Sequence, residues 1–213
     1  MEHIQLVQGS QEWLTARCGS LGASQVHQAL ARTKTGWGAE RANTMAALVV
    51  ERLTGQPAPT FQNEAMRWGI ETEPQARDAY CFHADVDVEQ VGLFRHARIG
   101  WTHASPDGLV GADGLLEIKC PTSATHLDTL LGAALPGKYV TQIQWQLACT
   151  GRAWCDWVSF DPRFSGEMQL FVRRIERDDA KISELERDVL EFLTEVAAKV
   201  DKLRETYERR AAA

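Results

Sequence analysis

Long hydrophobic runs are missing from this 213-residue chain, whose longest apolar stretch, Met45–Val50, is six residues long. A helix that crosses a membrane needs about 18 or more apolar residues, so we expect no transmembrane segment. The N-terminal sequence Met-Glu-His-Ile-Gln also lacks the basic start and the apolar stretch of a signal peptide. These absences predict a cytoplasmic protein with no membrane partner.

Clustered metal ligands are missing as well. The chain has five cysteines, an odd number, with no Cys-x-x-Cys pair, and its six histidines show no His-x-x-x-His spacing. This pattern argues against a disulfide framework and against a zinc or iron–sulfur site. Free thiols in a reducing compartment are the simplest interpretation.

An excess of positive charge is also absent. The formal net charge is −6, and acidic residues outnumber basic ones both before and after Glu176. General attraction to phosphates therefore cannot be the main source of any affinity for DNA, and composition alone does not predict a nucleic-acid partner. A DNA substrate would have to be held by a few placed cations and by metal ions.

What is present is the composition of one folded domain, with 44% hydrophobic and 24% charged residues. Periodicity and capping residues predict helices at Gln11–Ala31, interrupted at Gly19–Gly22 and resuming with Ser24 as N-cap, and at Asn43–Leu53, Glu64–Phe82 with a break or kink near Pro74, Tyr139–Thr150 and Asp178–Arg209. Alternation predicts strands at Val86–Phe94, Ile99–His103, Leu109–Val110, Leu115–Cys120, Ala153–Phe160 and Met168–Arg174. Residues 33–39 are predicted to form a loop.

This order predicts an α/β sandwich in which helices flank a mixed, mostly antiparallel sheet. We expect a single domain over residues 1–213, with N-terminal helices in 1–60, a catalytic core in 61–175 and a long C-terminal helix in 176–213. The apolar stripe of that last helix must be buried, either against its own sheet or against a neighbouring subunit. Its residues lie three or four apart: Ile182, Leu185, Val189, Leu193, Val196, Val200, Leu203 and Tyr207.

The residues with the clearest chemistry lie around a short hairpin. Its Gly-Ala-Asp-Gly turn centres on Ala112, so residues whose numbers sum to 224 should pair, which sets Asp107 opposite Glu117 with Cβ atoms about 5 Å apart. Alternation along the strand places Lys119 on the same face as Glu117. Leu116, Ile118 and Cys120 should point to the opposite, apolar face of the strand.

Two directly opposed carboxylates repel each other unless a cation lies between them. Oxygen ligands favour Mg²⁺ or Mn²⁺ over zinc, and Lys119 could orient an attacking water or stabilise charge on a phosphate. On their own, Asp107, Glu117 and Lys119 could equally belong to an ordinary surface hairpin.

A family resemblance is carried by the motifs around these residues. Ser105-Pro106-Asp107-Gly108 with Leu116-Glu117-Ile118-Lys119-Cys120-Pro121 resembles the signature of restriction-endonuclease-like nucleases, and more narrowly that of the lambda-type phage exonucleases, or YqaJ-type viral recombinases. Three further segments resemble motifs of that narrower family: Trp13–Arg17 with Gly22–Ser24, Trp68–Ala76, and Gln142–Gln146. The matches run in the family's order from residue 9 to about residue 178.

The resemblance implies a restriction-endonuclease-like core and a metal site. Asp107, Glu117 and the backbone carbonyl of Ile118 would bind the metal, and Glu73 would lie on the side of a second ion. Gln142 would contact the metal-bound water or the scissile phosphate. Without the resemblance, Glu73 is an unremarkable helical glutamate and Gln142 a surface amide.

The resemblance also implies contacts to DNA. Arg17, Ser24 and Ser105 match a pocket that holds the 5′-phosphate of a DNA end, and a guanidinium can bind phosphate through two hydrogen bonds. Arg32 and Lys34 could contact the DNA backbone, although they could equally lie in a solvated loop.

Met66 falls where the family places an apolar wedge against the terminal base pair. A methionine in a helix is more often part of a core, so core packing stays open as the alternative.

The activity implied by the resemblance is a Mg²⁺- or Mn²⁺-dependent 5′-to-3′ exonuclease with two ions, acting on double-stranded DNA. It would release 5′-mononucleotides and leave 3′ overhangs for phage-type recombination, as a homotrimeric ring beside a single-strand annealing protein. The alternatives are another nuclease of the same fold, such as an endonuclease or a RecB-type enzyme, and a catalytically inert DNA-end-binding recombination protein.

Overall fold

The computed structural model describes residues 2–58 and 63–211, so the segment boundary expected between residues 60 and 61 lies outside the described residues. The helices are α1 (Gln11–Arg17), α2 (Val26–Ala29), α3 (Ala39–Thr54), α4 (Glu64–Ala84), α5 (Ser123–Leu130), α6 (Gly137–Thr150) and α7 (Asp179–Ala211). The strands are β1 (Glu2–Ile4), β2 (Leu21–Gly22), β3 (Arg32–Thr33), β4 (Gly36–Trp37), β5 (Val88–Glu89), β6 (Leu93–Arg95), β7 (Thr102–Ala104), β8 (Gly108–Val110), β9 (Gly114–Lys119), β10 (Trp154–Phe160) and β11 (Leu170–Glu176). Among the described residues, no helix is long and apolar enough to cross a bilayer.

The central sheet has the strand order β11-β10-β9-β8-β5. Only β9 and β10 are parallel, and the other neighbouring pairs are antiparallel, which confirms the mixed, mostly antiparallel sheet. A parallel pair cannot be joined by a tight turn, and the connection from β9 to β10 contains α5 and α6. Helix α6 ends at Gly151, whose φ of 68° closes the helix with the left-handed conformation that glycine readily adopts.

The two faces of the sheet bury different sets of residues. Leu115 packs in the larger core with residues of α6, such as Ile143. Its neighbour Leu116 packs in a second core with Ala76 and Tyr80 of α4. Because successive strand residues point to opposite faces, α4 and α6 cover opposite sides of the sheet, as expected for a sandwich.

Helix α7 buries its apolar stripe against its own chain. It contacts α2, α3 and α6, and six residues of the predicted stripe are buried: Ile182, Leu185, Val189, Leu193, Val196 and Val200. The last two residues of the stripe, Leu203 and Tyr207, are exposed. The sequence left two possible partners for this stripe, and most of it packs within the subunit.

The N-terminal segment differs from its prediction. The expected interruption at Gly19–Gly22 contains β2, which pairs in parallel with β7. Ser24 is not a helix N-cap, because it lies inside a 3-10 turn, Ala23–Gln25, that begins after Gly22. Leu21 and Val26 are both fully buried. Because their side chains must reach the core, the backbone between them turns tightly, and this constraint outweighs the preference of Ser24 for a helix N-cap.

Other elements differ as well, and β1 was not predicted. The predicted loop at 33–39 contains the β3–β4 hairpin, α5 was not predicted, and α4 continues through Pro74 without interruption. The single strand expected at Val86–Phe94 is two strands, β5 and β6, in different sheets. Gly92 lies between them, and a Cβ atom there would come within 2.4 Å of the Ile4 carbonyl oxygen, so the backbone of the N-terminal segment crosses at this point.

Candidate active site

The predicted hairpin is formed by β8 and β9. Its Cα pairs are Gly108 with Leu116, Leu109 with Leu115 and Val110 with Gly114, which confirms the predicted register. One step further, this register sets Asp107 opposite Glu117. The Asp107 N–H donates to the Leu116 carbonyl at 3.1 Å, and the Ile118 N–H donates to Asp107 Oδ2 at 2.6 Å. The backbone of β9 therefore fixes the position of the Asp107 carboxylate.

The Glu117 carboxylate is buried and hydrogen bonded through both oxygens. Its Oε1 accepts from Gln142 Nε2 at 2.6 Å and from Lys119 Nζ, and its Oε2 accepts from Gln146 Nε2 at 2.6 Å. The two glutamines lie one turn apart on α6, so they share a helix face. Gln144, between them, points away and binds the backbone at Glu176 and Asp178.

The pKa of the Asp107 carboxyl lies well above its usual range. The main cause is loss of solvent, and the negative charge of Glu117 adds to it. Burial alone would lower the pKa of Lys119, but the carboxylates of Glu117 and Asp107 outweigh it and raise that pKa. Lys119 is therefore an ammonium ion that offsets part of the repulsion between the two acids.

Glu73, on α4, lies close enough to Glu117 and Lys119 for their charges to change its pKa. Burial raises the pKa of Glu73, Arg77 opposes this effect, and the charge of Glu117 adds to it. Glu73 forms an ion pair with Arg77 one helical turn later. Among the described residues, no group of three or more His, Cys, Asp or Glu side chains is arranged to hold a metal ion. The second-metal role of Glu73 therefore stays a prediction.

The donor set around Asp107 and Glu117 fits one hard divalent ion. The carboxylates of Asp107 and Glu117 repel each other, and the pKa of Asp107 is raised. A divalent cation between them would remove this repulsion. Mg²⁺ commonly takes only one or two carboxylates and keeps several waters, so a third acidic ligand is not required. Gln146 Oε1 is a buried acceptor without a hydrogen-bond partner among the described residues, and such an acceptor suits an ion-bound water.

Most of the predicted catalytic and phosphate-binding residues line one cavity of about 220 Å³, but Glu73 and Ile118 are not among its lining residues. The predicted residues in its wall are Arg17, Ser24, Ser105, Asp107, Glu117, Lys119 and Gln142. These residues come from the N-terminal segment, the hairpin and α6. The fold thus joins two groups of residues that are far apart in the sequence.

Arg17 is held from two sides at the cavity wall. Its guanidinium carbon lies 3.8 Å from the centre of the Trp13 ring, and its Nε–H donates to His103 Nε2 at 2.9 Å. Trp13 in turn donates its indole N–H to Ser105 Oγ at 3.3 Å. Burial lowers the pKa of Arg17, but an arginine remains charged at any physiological pH.

Three predicted DNA contacts do not line this cavity. Arg32 stacks on Trp37 within the β3–β4 hairpin, with its guanidinium carbon 3.9 Å from the ring centre. Lys34 is exposed in the turn of that hairpin. Met66 is 53% exposed on α4, so it is not a core residue. The DNA-binding roles of these three residues stay predictions.

Six residues of the cavity wall had no role predicted from the sequence: Gln8, Trp13, Gly22, Ala23, His103 and Gln146. Two of them had a readable signal. Gln146 follows Gln142 by four residues and so shares its helix face. His103 precedes Ser105 and Asp107 at a spacing of two, which places the three on one face of an extended segment. Trp13 belonged to a recognised motif without an assigned role.

A mixed sheet covered by helices, with opposed acids and a lysine on its central hairpin, defines a restriction-endonuclease-like nuclease. Within that class, the model of the YqaJ-like viral recombinase domain matches residues 12–153, and the chain belongs to this family. The membership confirms the resemblance seen in the sequence and supports a nuclease role.

Solved structures agree with this assignment. The chain is 45% identical to an alkaline exonuclease, LHK-Exo, from Laribacter hongkongensis, over 95% of this chain and 98% of that one, with a TM-score of 0.85. A structure of LHK-Exo in complex with dAMP gives 44% identity over 94% and 99% of the two chains and a TM-score of 0.87. A phage-related exonuclease from Haemophilus somnus shares the fold, with a TM-score of 0.64 at 14% identity.

A viral protein is also similar in sequence. The chain is 28% identical over 167 residues to the uncharacterized protein R354 of Acanthamoeba polyphaga mimivirus. The match covers 72% of this chain but only 29% of the length of the mimivirus protein.

Replacing Asp107 by Asn should stabilise the protein when divalent ions are absent, because the change removes a buried charge that faces Glu117. A carboxyl group with a higher pKa in the folded than in the unfolded state lowers stability above that folded pKa. This penalty fades as the pH falls to the unfolded value. In urea titrations with EDTA, the variant should therefore unfold with the larger free energy at pH of about 8, and the difference should vanish near pH of about 4.

The matched control is Asp128→Asn on the exposed surface of α5, which should give no pH-dependent difference. An Asp107→Asn protein less stable than the wild type at the higher pH would contradict the assigned repulsion.

Proposed function

We propose that this chain is a metal-dependent 5′-to-3′ exonuclease on double-stranded DNA. It releases 5′-mononucleotides and leaves 3′ single-stranded overhangs for phage-type recombination. The observation that supports this proposal most is the shared cavity, which is lined both by the Asp107–Glu117–Lys119 group and by Arg17. A phosphate-binding group beside the hydrolytic group suits an enzyme that begins at a chain end.

The Arg17 guanidinium is suited to the terminal phosphate. Its stacking on Trp13 and its hydrogen bond to His103 hold the group at the wall, and no described residue accepts a hydrogen bond from its two terminal nitrogens. A planar guanidinium can place two N–H donors on one phosphate. Ser24 and Ser105 line the same cavity, and each carries a hydroxyl group. Together they would bind the 5′ end and orient the next phosphodiester.

The hydrolytic group would act on that phosphodiester. Asp107, Glu117 and the Ile118 carbonyl would hold Mg²⁺ or Mn²⁺, with Glu73 beside a second ion. When bound, these ions would supply Lewis-acid stabilisation of charge on the phosphate oxygens. The Lys119 ammonium would orient the attacking water, and Gln142 would donate a hydrogen bond to that water or to the phosphate.

The relatives support the substrate and the product. LHK-Exo is described as an alkaline exonuclease and has been solved with dAMP, a deoxynucleoside monophosphate of the kind that the proposed reaction releases. Arg32 and Lys34 would contact the DNA backbone, and Met66, exposed on α4, would press against the terminal base pair. A single-strand annealing protein would be the partner that receives the 3′ overhang.

Hydrolysis of linear duplex should require Mg²⁺ and should stop in EDTA. Glu117→Gln and Lys119→Ala should each lower the rate by roughly 10²-fold or more, because each removes preorganised charge from the reacting phosphate. The rate of hydrolysis is measured as the release of acid-soluble nucleotides from labelled linear duplex.

A closed circular duplex is the control for an exonuclease, because it offers no end. Cleavage of the circle would favour an endonuclease, and no hydrolysis of either substrate would favour an inert end-binding protein. Equal DNA loss with EDTA and in both variants would leave the nuclease proposal without support.

A 5′-phosphorylated blunt end should be digested faster than a 5′-hydroxyl end. Arg17→Ala should remove this preference, because the variant loses the two-pronged donor to the phosphate. The measurement is kcat/KM on the two substrates, and Arg187→Ala, at an exposed position of α7, is the matched control. A wild type without any preference would refute the assignment of Arg17 while sparing that of Asp107 and Glu117.

The working form is proposed to be a homotrimeric ring. A net charge of −6 gives little general attraction to phosphates, and a closed ring would retain DNA without it. Light scattering at working concentration should give three times the 23.8 kDa chain mass. A single-chain mass would remove the ring from the proposal.

A further inference from the structure

A buried hydrogen-bonded chain holds Arg17 at the cavity wall, and its middle residue, His103, also lines the cavity. Arg17 Nε donates to His103 Nε2 at 2.9 Å, and His103 Nδ1 lies 2.9 Å from Ser20 Oγ. His103 is 2% exposed and Ser20 is 4% exposed. The sequence motifs include neither residue as a functional group, and no step of the proposed hydrolysis uses them.

The hydrogen bonds fix the state of the imidazole. An arginine Nε–H can only donate, so His103 Nε2 must carry a lone pair and the proton must lie on Nδ1. His103 Nδ1–H then donates to Ser20 Oγ. Burial, and next the positive charges of Arg17 and Arg95, lower the pKa of His103 to about 3, so the ring stays neutral under physiological conditions. A protonated ring at this position would repel Arg17.

The contact depends on a close approach of the backbone. A Cβ atom at Gly22 would lie 3.2 Å from His103 Nε2 and 3.5 Å from a terminal nitrogen of Arg17. The first of these distances is a tight contact, so a side chain at position 22 would press on this hydrogen bond. The stacking of Arg17 on Trp13 fixes the plane of the guanidinium, and the bond to His103 fixes its rotation within that plane.

We propose that His103, locked in one tautomer by Ser20, is the positioning residue that turns the terminal nitrogens of Arg17 towards the 5′-phosphate and so sets the preference for phosphorylated ends. This inference rests on the proposed phosphate pocket. On this inference, the preference of Arg17 for a 5′-phosphate depends on the buried, neutral His103–Ser20 pair. An arginine without this acceptor can rotate about its last bonds and loses its two-pronged geometry.

The experiment measures the ratio of kcat/KM for 5′-phosphorylated and 5′-hydroxyl duplex in a set of variants. His103→Ala should lower this ratio by about tenfold, the usual size of one charge-assisted hydrogen bond. His103→Gln should retain more of the preference, because its carbonyl oxygen can accept from Arg17 Nε. Ser20→Ala should lower the ratio less than His103→Ala does, because the imidazole stays in place without its tautomer lock.

The matched control is His126→Gln. His126 is also fully buried and hydrogen bonded through both ring nitrogens, to Ser159 Oγ and the Met168 carbonyl, and it does not line the cavity. This substitution should lower the melting temperature without changing the ratio. It therefore separates loss of a buried histidine from loss of the contact to Arg17.

A second measurement reports the tautomer directly. Nitrogen-15 spectra should show His103 with its proton on Nδ1 and His126 with its proton on Nε2, since a carbonyl can only accept from His126. The His103 signal should change in Ser20→Ala and be absent in His103→Gln. A His103 proton on Nε2 would overturn the inference.

The possible outcomes distinguish the role of His103 from the existence of the phosphate pocket at Arg17. If Arg17→Ala removes the preference while both His103 variants and Ser20→Ala keep the wild-type ratio, the role of His103 is refuted and the phosphate pocket stands. If the wild type has no preference, the pocket itself is refuted and the inference falls with it.

Discussion

Repulsion between two acids is the constraint around which this molecule is organised. The β8–β9 register sets Asp107 opposite Glu117, and burial strengthens the repulsion by removing the water that would screen it. Three hydrogen-bond donors reduce the free-energy cost of burying the charge of Glu117. They are Lys119 on the same strand and two glutamines on α6. The site is therefore stable enough to fold but keeps an unfavourable charge balance that a divalent ion would relieve.

The topology of the sheet supplies those donors. Strands β9 and β10 are parallel, so the chain must cross over between them, and that crossover carries α6 over the face where Glu117 points. A hairpin connection could not have placed Gln142 and Gln146 there. The single parallel pair in a mostly antiparallel sheet is thus the feature that completes the site.

The parts of the site that the sequence predicts are those governed by local rules. The turn at Gly111–Asp113 fixes the pairing of Asp107 with Glu117, and a period of two places Lys119 beside them. The phosphate pocket could be assigned only by family resemblance, since Arg17 and Ser105 meet through the pairing of β2 with β7. Strand β2 has only two residues, too few to show a periodic pattern, so its place in the sheet could not be read locally.

Alternation along β9 has a further consequence for the two faces of the sheet. Leu115, Glu117 and Lys119 face the α6 side, whereas Leu116 and Ile118 face α4 and pack with Tyr80. The same six residues of β9 therefore both close the core beneath α4 and present the charged groups on the opposite face. A substitution at Leu116 that shifted the strand would thus move Glu117 with it, so the packing under α4 limits how far the reactive face can change.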